Sequence, residues 1–251
     1  LRNPRLVLLY LKGKRYPMLS YENSELDISR VKPAIAVQPI GSMEQHGLHL
    51  PVSTDTIIAY EVGRALTSRI GGLLLPPIPY SCSIEHSNYT STIWLKPSTL
   101  YFLLRDIALS LRAHGFKALV IVNGHGGNYN LKSIVREMNH RFGRKPLAVL
   151  VDLGGMYFGS RYAEDIHAGF HETSLMLYLK PDLVGGLQGD YKPRATRDFL
   201  DYMPMDELTP TGVWGEPSRA SREDGEDLFK RIVDEAEKYV VDVLRRMGIV
   251  Y

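Results

Sequence analysis

Short, uninterrupted apolar runs alternating with helical patterns constrain this chain most. Ala34-Ile35-Ala36-Val37, Leu73-Leu74-Leu75, Ala118-Leu119-Val120-Ile121-Val122 and Leu147-Ala148-Val149-Leu150-Val151 are apolar at every position. Such strands are buried on both faces, as in a parallel sheet covered by helices on each side. Thr54 can cap a helix that places Ile58, Val62, Ala65 and Leu66 on one face and stops at Gly71-Gly72. Ser98 opens another with Leu100, Leu103, Leu104, Ile107 and Leu111 in a stripe, ended by Gly115. Further helices are expected from about Tyr129 to Arg141, from Glu172 to Leu179, and from about Glu223 to Met247. Leu6 to Leu11 reads as a first strand or a packed arm. The expected class is α/β, a three-layer α/β/α arrangement with a mainly parallel sheet.

Nothing linker-like and no internal repeat divides the chain, so residues 1–251 read as one domain. Lys+Arg 30 against Asp+Glu 28 leaves a net charge of +2, which argues against a strongly basic nucleic-acid surface. The apolar runs are much shorter than the roughly 20 residues that span a bilayer. Lys12, Lys14 and Arg15 follow the first run without a small-residue cleavage site, so it does not read as a signal peptide. The expectation is a cytoplasmic protein without nucleic-acid or membrane partners. Cys82 is the single cysteine, which excludes an internal disulfide and a cysteine-only zinc site.

Parallel α/β folds bind ligands beyond the carboxyl ends of their strands. Three polar clusters occupy that position. The segment from Gly41 to Pro51 carries Glu44, His46 and His49, with Asp55 one turn later; the loop after Val122 carries His125; the stretch after Val151 carries Asp165, His167, His171 and Glu172. Glu44 and His46 are two apart, so an extended segment points both to one face. Carboxylates and imidazoles suit Zn, Fe(II) or Mn. Five potential ligands, Glu44, His46, Asp55, His125 and Glu172, suffice for two divalent ions if one carboxylate bridges.

Other readings of the same residues remain open. Gly124 to Asn128 can be an anion loop at a helix N-terminus, and Glu172 a first-turn carboxylate favoured by the helix dipole. The loop lacks both the G-x-G-x-x-G spacing and a following Gly-Lys-Ser/Thr. No Gly-x-Ser-x-Gly elbow supports a serine hydrolase.

Gly41-Ser42-Met43-Glu44-Gln45-His46-Gly47-Leu48-His49-Leu50-Pro51 with Asp55-Thr56 resembles the signature of the creatininase (creatinine amidohydrolase) family. Asn123-Gly124-His125-Gly126-Gly127-Asn128 is similar to its second motif, and His167-Ala168-Gly169 with Glu172-Thr173-Ser174 to its third. Trp214-Gly215-Glu216-Pro217 and Gly225-Glu226 are similar to its C-terminal region. The resemblance implies a dinuclear metal amidohydrolase acting on a small-molecule amide, assembled as a homo-oligomer, a hexamer or smaller. It implies Glu44, Asp55 and His125 around one ion, and His46 and Asp55 around the second, with Asp55 bridging. Creatininase has a second-metal glutamate where this chain has Gly127, and Glu172 is the candidate to replace it. This chain also lacks, between Tyr157 and Ile166, the tryptophans that shield creatinine in that enzyme.

Glycine at 127 is similar to the branch that includes the archaeal deformylase of riboflavin and coenzyme F420 biosynthesis, which removes formate from a formylaminopyrimidine ribosyl phosphate. A formamide is therefore the expected substrate. Creatinine is the alternative, and a non-catalytic nucleotide-binding paralogue a more distant one; a peptidase trimming a mycofactocin precursor is another relative. His167 is the expected general acid/base, with Glu172 a second candidate for that role. Ser42, Gln45, His49, Gly126, Gly127 and Asn128 are expected to orient ligands or substrate.

Overall fold

The structure, a computed structural model, describes residues 7–11, 14–157, 164–186 and 189–249. Its strands are β1 Val7–Leu11, β2 Lys14–Ser20, β3 Ile35–Ile40, β4 Gly72–Leu74, β5 Ala118–Asn123 and β6 Leu147–Asp152. They form one sheet in the order β1-β2-β4-β3-β5-β6. Five strands run parallel, and β1 lies antiparallel along the β2 edge. The helices are α1 Glu25–Val31, α2 Thr54–Ile70, α3 Pro97–Ala113, α4 Leu131–Arg141, α5 Leu153–Tyr157, α6 Phe170–Leu179, α7 Met205–Leu208 and α8 Arg222–Arg246.

Every residue of β3 and β5 is buried, and alternate residues feed two separate cores. Ile35, Val37, Val120, Val122, Val149 and Val151 pack with Ile58 and Val62 of α2, Leu175 of α6, and Ile232 and Val240 of α8. Ala36, Ile40, Leu119, Ile121 and Ala148 pack on the other face with Leu100 and Leu104 of α3 and Ile134 and Met138 of α4. At about 1.5–3 kcal/mol for each large aliphatic side chain fully buried, two such cores hold the layers without a covalent staple. The three-layer arrangement expected from the continuous apolar strands is present.

Register then positions the loops. Ile40 lies beside Asn123, and Asn123 beside Asp152. The three chains therefore leave the sheet along one edge, and the segments after them converge there.

Several boundaries differ from the sequence reading. Ser53, not Thr54, precedes α2, and Thr54 is buried with its hydroxyl donating to Pro51 O at 2.6 Å. Lys96 precedes α3, Asn130 precedes α4, and α6 begins at Phe170. The first run is a strand, and its partner β2 went unread because Lys14 and Arg15 interrupt the apolar pattern. Helix α1 was also missed, although a signal existed. Ser24 and Asp27 form a reciprocal capping box, with Ser24 Oγ accepting from Asp27 N and Asp27 Oδ2 accepting from Ser24 N. The tryptophan-free stretch falls mostly on residues 158–163, outside the described residues.

Candidate metal centre

Four segments meet at the carboxyl edge. The loop after β3 brings Glu44 and His46, the first turn of α2 brings Asp55, the loop after β5 brings His125, and the segment leading into α6 brings His167 and Glu172. Asp55 Oδ1 lies 3.1 Å from His46 Nε2, and Asp55 Oδ2 lies 2.9 Å from His125 Nδ1. Glu44 Oε2 is 3.2 Å from His125 Nδ1, and Glu172 Oε2 is 3.7 Å from His46 Nε2. Three sets of ligand atoms lie within 4.8 Å of one another: Glu44, Asp55 and His125; His46, Asp55 and Glu172; and Glu44, His46 and His167.

Each of three imidazoles is tied on its outer nitrogen to a backbone carbonyl. His46 Nδ1–H donates to Glu44 O at 3.2 Å, His125 Nε2–H to Cys82 O at 2.8 Å, and His167 Nε2–H to Gln45 O at 2.7 Å. That leaves His46 Nε2, His125 Nδ1 and His167 Nδ1 turned toward the carboxylates, the arrangement in which a second hydrogen bond fixes the tautomer of a metal-binding histidine. His86 is different. Its Nδ1 accepts from the Gln45 amide at 2.9 Å, because Gln45 Oε1 is already taken by Gly47 N. The His86 proton is thus on Nε2, 3.5 Å from Glu44 Oε1.

Charge supports the same conclusion. Both oxygens of Glu44 are buried, and among the described residues neither has a hydrogen-bond partner. Glu44, Asp55, Glu85 and Glu172 line one cavity, and among the described residues the one Arg in its wall, Arg197, forms an ion pair with none of them. Protons fill the deficit instead. Burial opposes charge on His46, yet Asp55 and Glu172 raise it to about 10; Glu44 and Asp55 likewise hold His125 well above its ordinary value. Burial and the nearby Asp55 charge push Glu172 up to about 8, while contact with His46 and His125 holds Asp55 low despite burial. Burial and the neighbouring His46 keep His167 well below its usual value and take His49 down to about 4. A buried, proton-loaded carboxylate–imidazole set is what divalent ions replace, because ligands must deprotonate to bind. The donors present fit such ions.

The expected supporting residues lie around this set. His49 Nε2 meets Thr173 Oγ1 at 2.9 Å, joining the first motif to α6. Ser42 accepts from Thr56 Oγ1 through its carbonyl at 3.1 Å, while its own hydroxyl is buried without a partner. Asn128 accepts from Cys82 N at 3.1 Å and donates to Asn123 Oδ1 at 2.9 Å, fixing the loop that carries His125.

The third polar cluster divides. Asp165 and His171 bond to each other and are in none of the ligand sets: Asp165 accepts from Phe170 N, His171 N and His171 Nδ1 at 2.7–2.8 Å and tightens the entry to α6. His167 is held against Trp214 by backbone bonds in both directions, at 3.1 and 2.8 Å. That pairing explains why the Trp214 segment accompanies the site.

Glu85 was missed by sequence reasoning, and it lies next to His86. Both belong to the cavity wall, on a 3-10 turn, Ile84–His86. Glu85 Oε1 lies 3.6 Å from His125 Nε2, and a Cβ on Gly127 would fall 2.0 Å from it. The same Cβ would lie 2.6 Å from Cys82 O. Gly127 therefore leaves room for a carboxylate arriving from the loop after β4.

The creatinine amidohydrolase (creatininase) family model matches residues 22–240. This chain belongs to the creatininase family. It is 36% identical over 219 residues to the mycofactocin precursor peptide peptidase of Mycobacterium ulcerans, covering 81% of this chain and 82% of that protein. It is 31% identical over 220 residues to the creatinine amidohydrolase of Pseudomonas putida, covering 78% and 84%. The crystal structure of creatininase superposes with a TM-score of 0.75 at 24% identity over 89% of this chain and 96% of that one. Other creatininase structures include a Zn-Zn form and a Mn form. The formylaminopyrimidine deformylase of Methanococcus maripaludis matches over only 111 residues, 42% of this chain, at 30% identity. The chain is thus a metal-dependent amidohydrolase of this family, and the expected deformylase branch is the weaker match. No helix among the described residues is long and apolar enough to cross a membrane.

Proposed function

We propose that this chain is a dinuclear metal amidohydrolase that cleaves a linear amide C–N bond in a peptide. The observation that carries the metal reading is the trio His46, His125 and His167. Each is anchored outward on a carbonyl and turned inward toward buried carboxylates. The peptide reading is supported by the 36% identity to a peptidase across most of both chains.

Glu44, Asp55 and His125 would hold one ion, and His46, Asp55 and Glu172 the other, with Asp55 shared. Bound divalent ions of this kind lower the pKa of water toward neutrality and polarise a carbonyl oxygen. Glu172 acts as a ligand in this scheme. His167 handles the proton: its Nε2–H is committed to Gln45 O, so Nδ1 takes a proton from water and returns it to the leaving nitrogen. Burial keeps His167 neutral near pH 7, the form that can accept that proton. Gln45 serves both histidines, orienting His167 through its carbonyl and His86 through its amide.

The test is a side-by-side assay of metal-free chain reconstituted with Fe(II), Mn(II) or Zn(II). It offers a short peptide, the formylaminopyrimidine ribosyl phosphate and creatinine. Metal-dependent release of new amino termini from the peptide supports the reading. Formate release with no peptide cleavage assigns the chain to the deformylase branch. Turnover of creatinine alone makes it a creatininase.

A further inference from the structure

The two glycines after His125 each leave room for a charged side chain from another part of the chain. Gly127 admits Glu85; Gly126 admits Arg197. Arg197 opens a 3-10 turn, Arg197–Asp201, in the segment between α6 and α7. Its Nη2 donates to Gly126 O at 3.2 Å, and a Cβ on Gly126 would lie 2.9 Å from that nitrogen. Its guanidinium carbon stands 5.7 Å from the centre of the Tyr129 ring. The head group is thus placed from two sides, by the loop backbone and by an aromatic face.

Its charge is not met by the carboxylates around it. Among the described residues, Arg197 is the only Lys or Arg in the wall of the cavity that also holds Glu44, Asp55, Glu85 and Glu172. Among the described residues it forms an ion pair with none of those carboxylates. Its Nε is buried and, among the described residues, has no hydrogen-bond partner. A buried unpaired donor is costly and calls for an acceptor. A planar guanidinium held over a cavity suits one class of acceptor, an oxyanion that it can grip through two parallel bonds.

Position limits where that oxyanion lies on a substrate. Gly126 directly follows His125, about 3.8 Å along the backbone. His125, Gly126 and Arg197 line one cavity, so a substrate whose amide reaches His125 lies beside Arg197. We propose that Arg197, steadied by Gly126 and Tyr129, binds an oxyanion of the substrate within one or two residues of the scissile amide. The preferred substrate class is then an amide bearing a nearby carboxylate, such as the last bonds of a peptide with a free C-terminus. This rests on the amidohydrolase reading above and narrows it.

The experiment compares a peptide acid with the same peptide as its C-terminal carboxamide, using metal-loaded wild type and the Arg197→Ala, Arg197→Gln and Arg197→Lys variants. The expected result for wild type is a kcat/KM at least about tenfold higher for the acid, expressed mainly in KM. In Arg197→Ala and Arg197→Gln that ratio falls to about one, with partial recovery in Arg197→Lys, which keeps the charge but not the fork. Equal use of acid and carboxamide by wild type would overturn the proposal. So would an unchanged ratio in the variants, which makes Arg197 a mere balance for the acidic wall. Calorimetric titration with N-acetylphenylalanine, its carboxamide and inorganic phosphate reads the subsite apart from turnover. Binding of the acid that is lost in Arg197→Gln supports the subsite even if no peptide is cleaved. Tighter binding of phosphate than of the acid transfers the specificity to a phosphorylated amide. Binding of neither anion refutes it. Thermal melts confirm that each variant folds.

Discussion

Asp55 and His125 lie 70 positions apart in the chain, yet Asp55 Oδ2 is 2.9 Å from His125 Nδ1 while Asp55 Oδ1 is 3.1 Å from His46 Nε2. One carboxylate at the first turn of α2 thus joins histidines from two different loops. Both candidate ion positions depend on it.

Replacing Asp55 by Ala or Asn removes the shared ligand. The expected outcome is loss of both ions, from about two per chain to near none, together with loss of amide hydrolysis. Elemental analysis of dialysed protein checks the first, and the peptide assay the second. Retention of two ions in Asp55→Asn would exclude the bridge.

Glu172→Gln separates the two positions. It removes a donor from the His46 and Asp55 set while leaving Glu44, Asp55 and His125 intact. About one ion per chain is expected to remain, with a second binding at least about tenfold more weakly in titration calorimetry. If both ions bind unchanged, Glu172 is not a ligand and is free to act on protons instead.

The metal-free chain should lose stability as pH rises. His46 is raised to about 10 and Glu172 to about 8 in the folded state. A group with a raised folded value contributes stability that is complete below its unfolded value, about 6.5 for His and 4.3 for Glu, and fades as pH passes the folded value. Asp55, held low, contributes above about pH 3.9 and gives nothing back in the alkaline range. The loss runs from about pH 4.3 to 8 for Glu172 and from about 6.5 to 10 for His46, so the thermal midpoint of chelator-treated protein should fall most steeply between about pH 6.5 and 8, where both act, and level off by about pH 10. Saturating Zn(II) or Mn(II) should flatten that fall, because the ions take the place of the protons.

Gly127→Ala should be costly. Its Cβ would meet Glu85 Oε1 at 2.0 Å, His125 Nε2 at 2.4 Å and Cys82 O at 2.6 Å. Glu85 can swing away, but the Cys82 backbone and the anchored ring cannot. A loss of about 1–3 kcal/mol in denaturant unfolding is expected, with weakened ion binding as His125 is displaced. Gly186→Ala, whose Cβ meets no described residue within 4 Å, is the control and should stay within about 0.5 kcal/mol of wild type.

Much of the fold was legible because burial on both faces leaves an uninterrupted apolar record, as in β5 and β6. Strand β2 left none: Lys14 and Arg15 open it with charged residues, and only its backbone pairing with β1 reveals it. In the site, Glu44, His46, Asp55 and His125 could be named from spacing and motif. Glu85 could not, since it comes from an irregular stretch without periodicity, and only the space left by Gly127 shows where its carboxylate goes.

The amino-acid sequence by itself determined the α/β class, the edge of the sheet at which chemistry collects, and a donor set of oxygen and imidazole with Cys82 as the lone thiol. Local patterns encode these, because strand burial and motif spacing act over a few residues. Only the tertiary structure decided which of the polar residues meet. It paired Asp165 with His171, brought Glu85 and His86 in, set Arg197 over Gly126, and chose the inward nitrogen of each histidine. Those choices depend on backbone carbonyls and loop directions contributed by segments tens of residues apart, which no local pattern records.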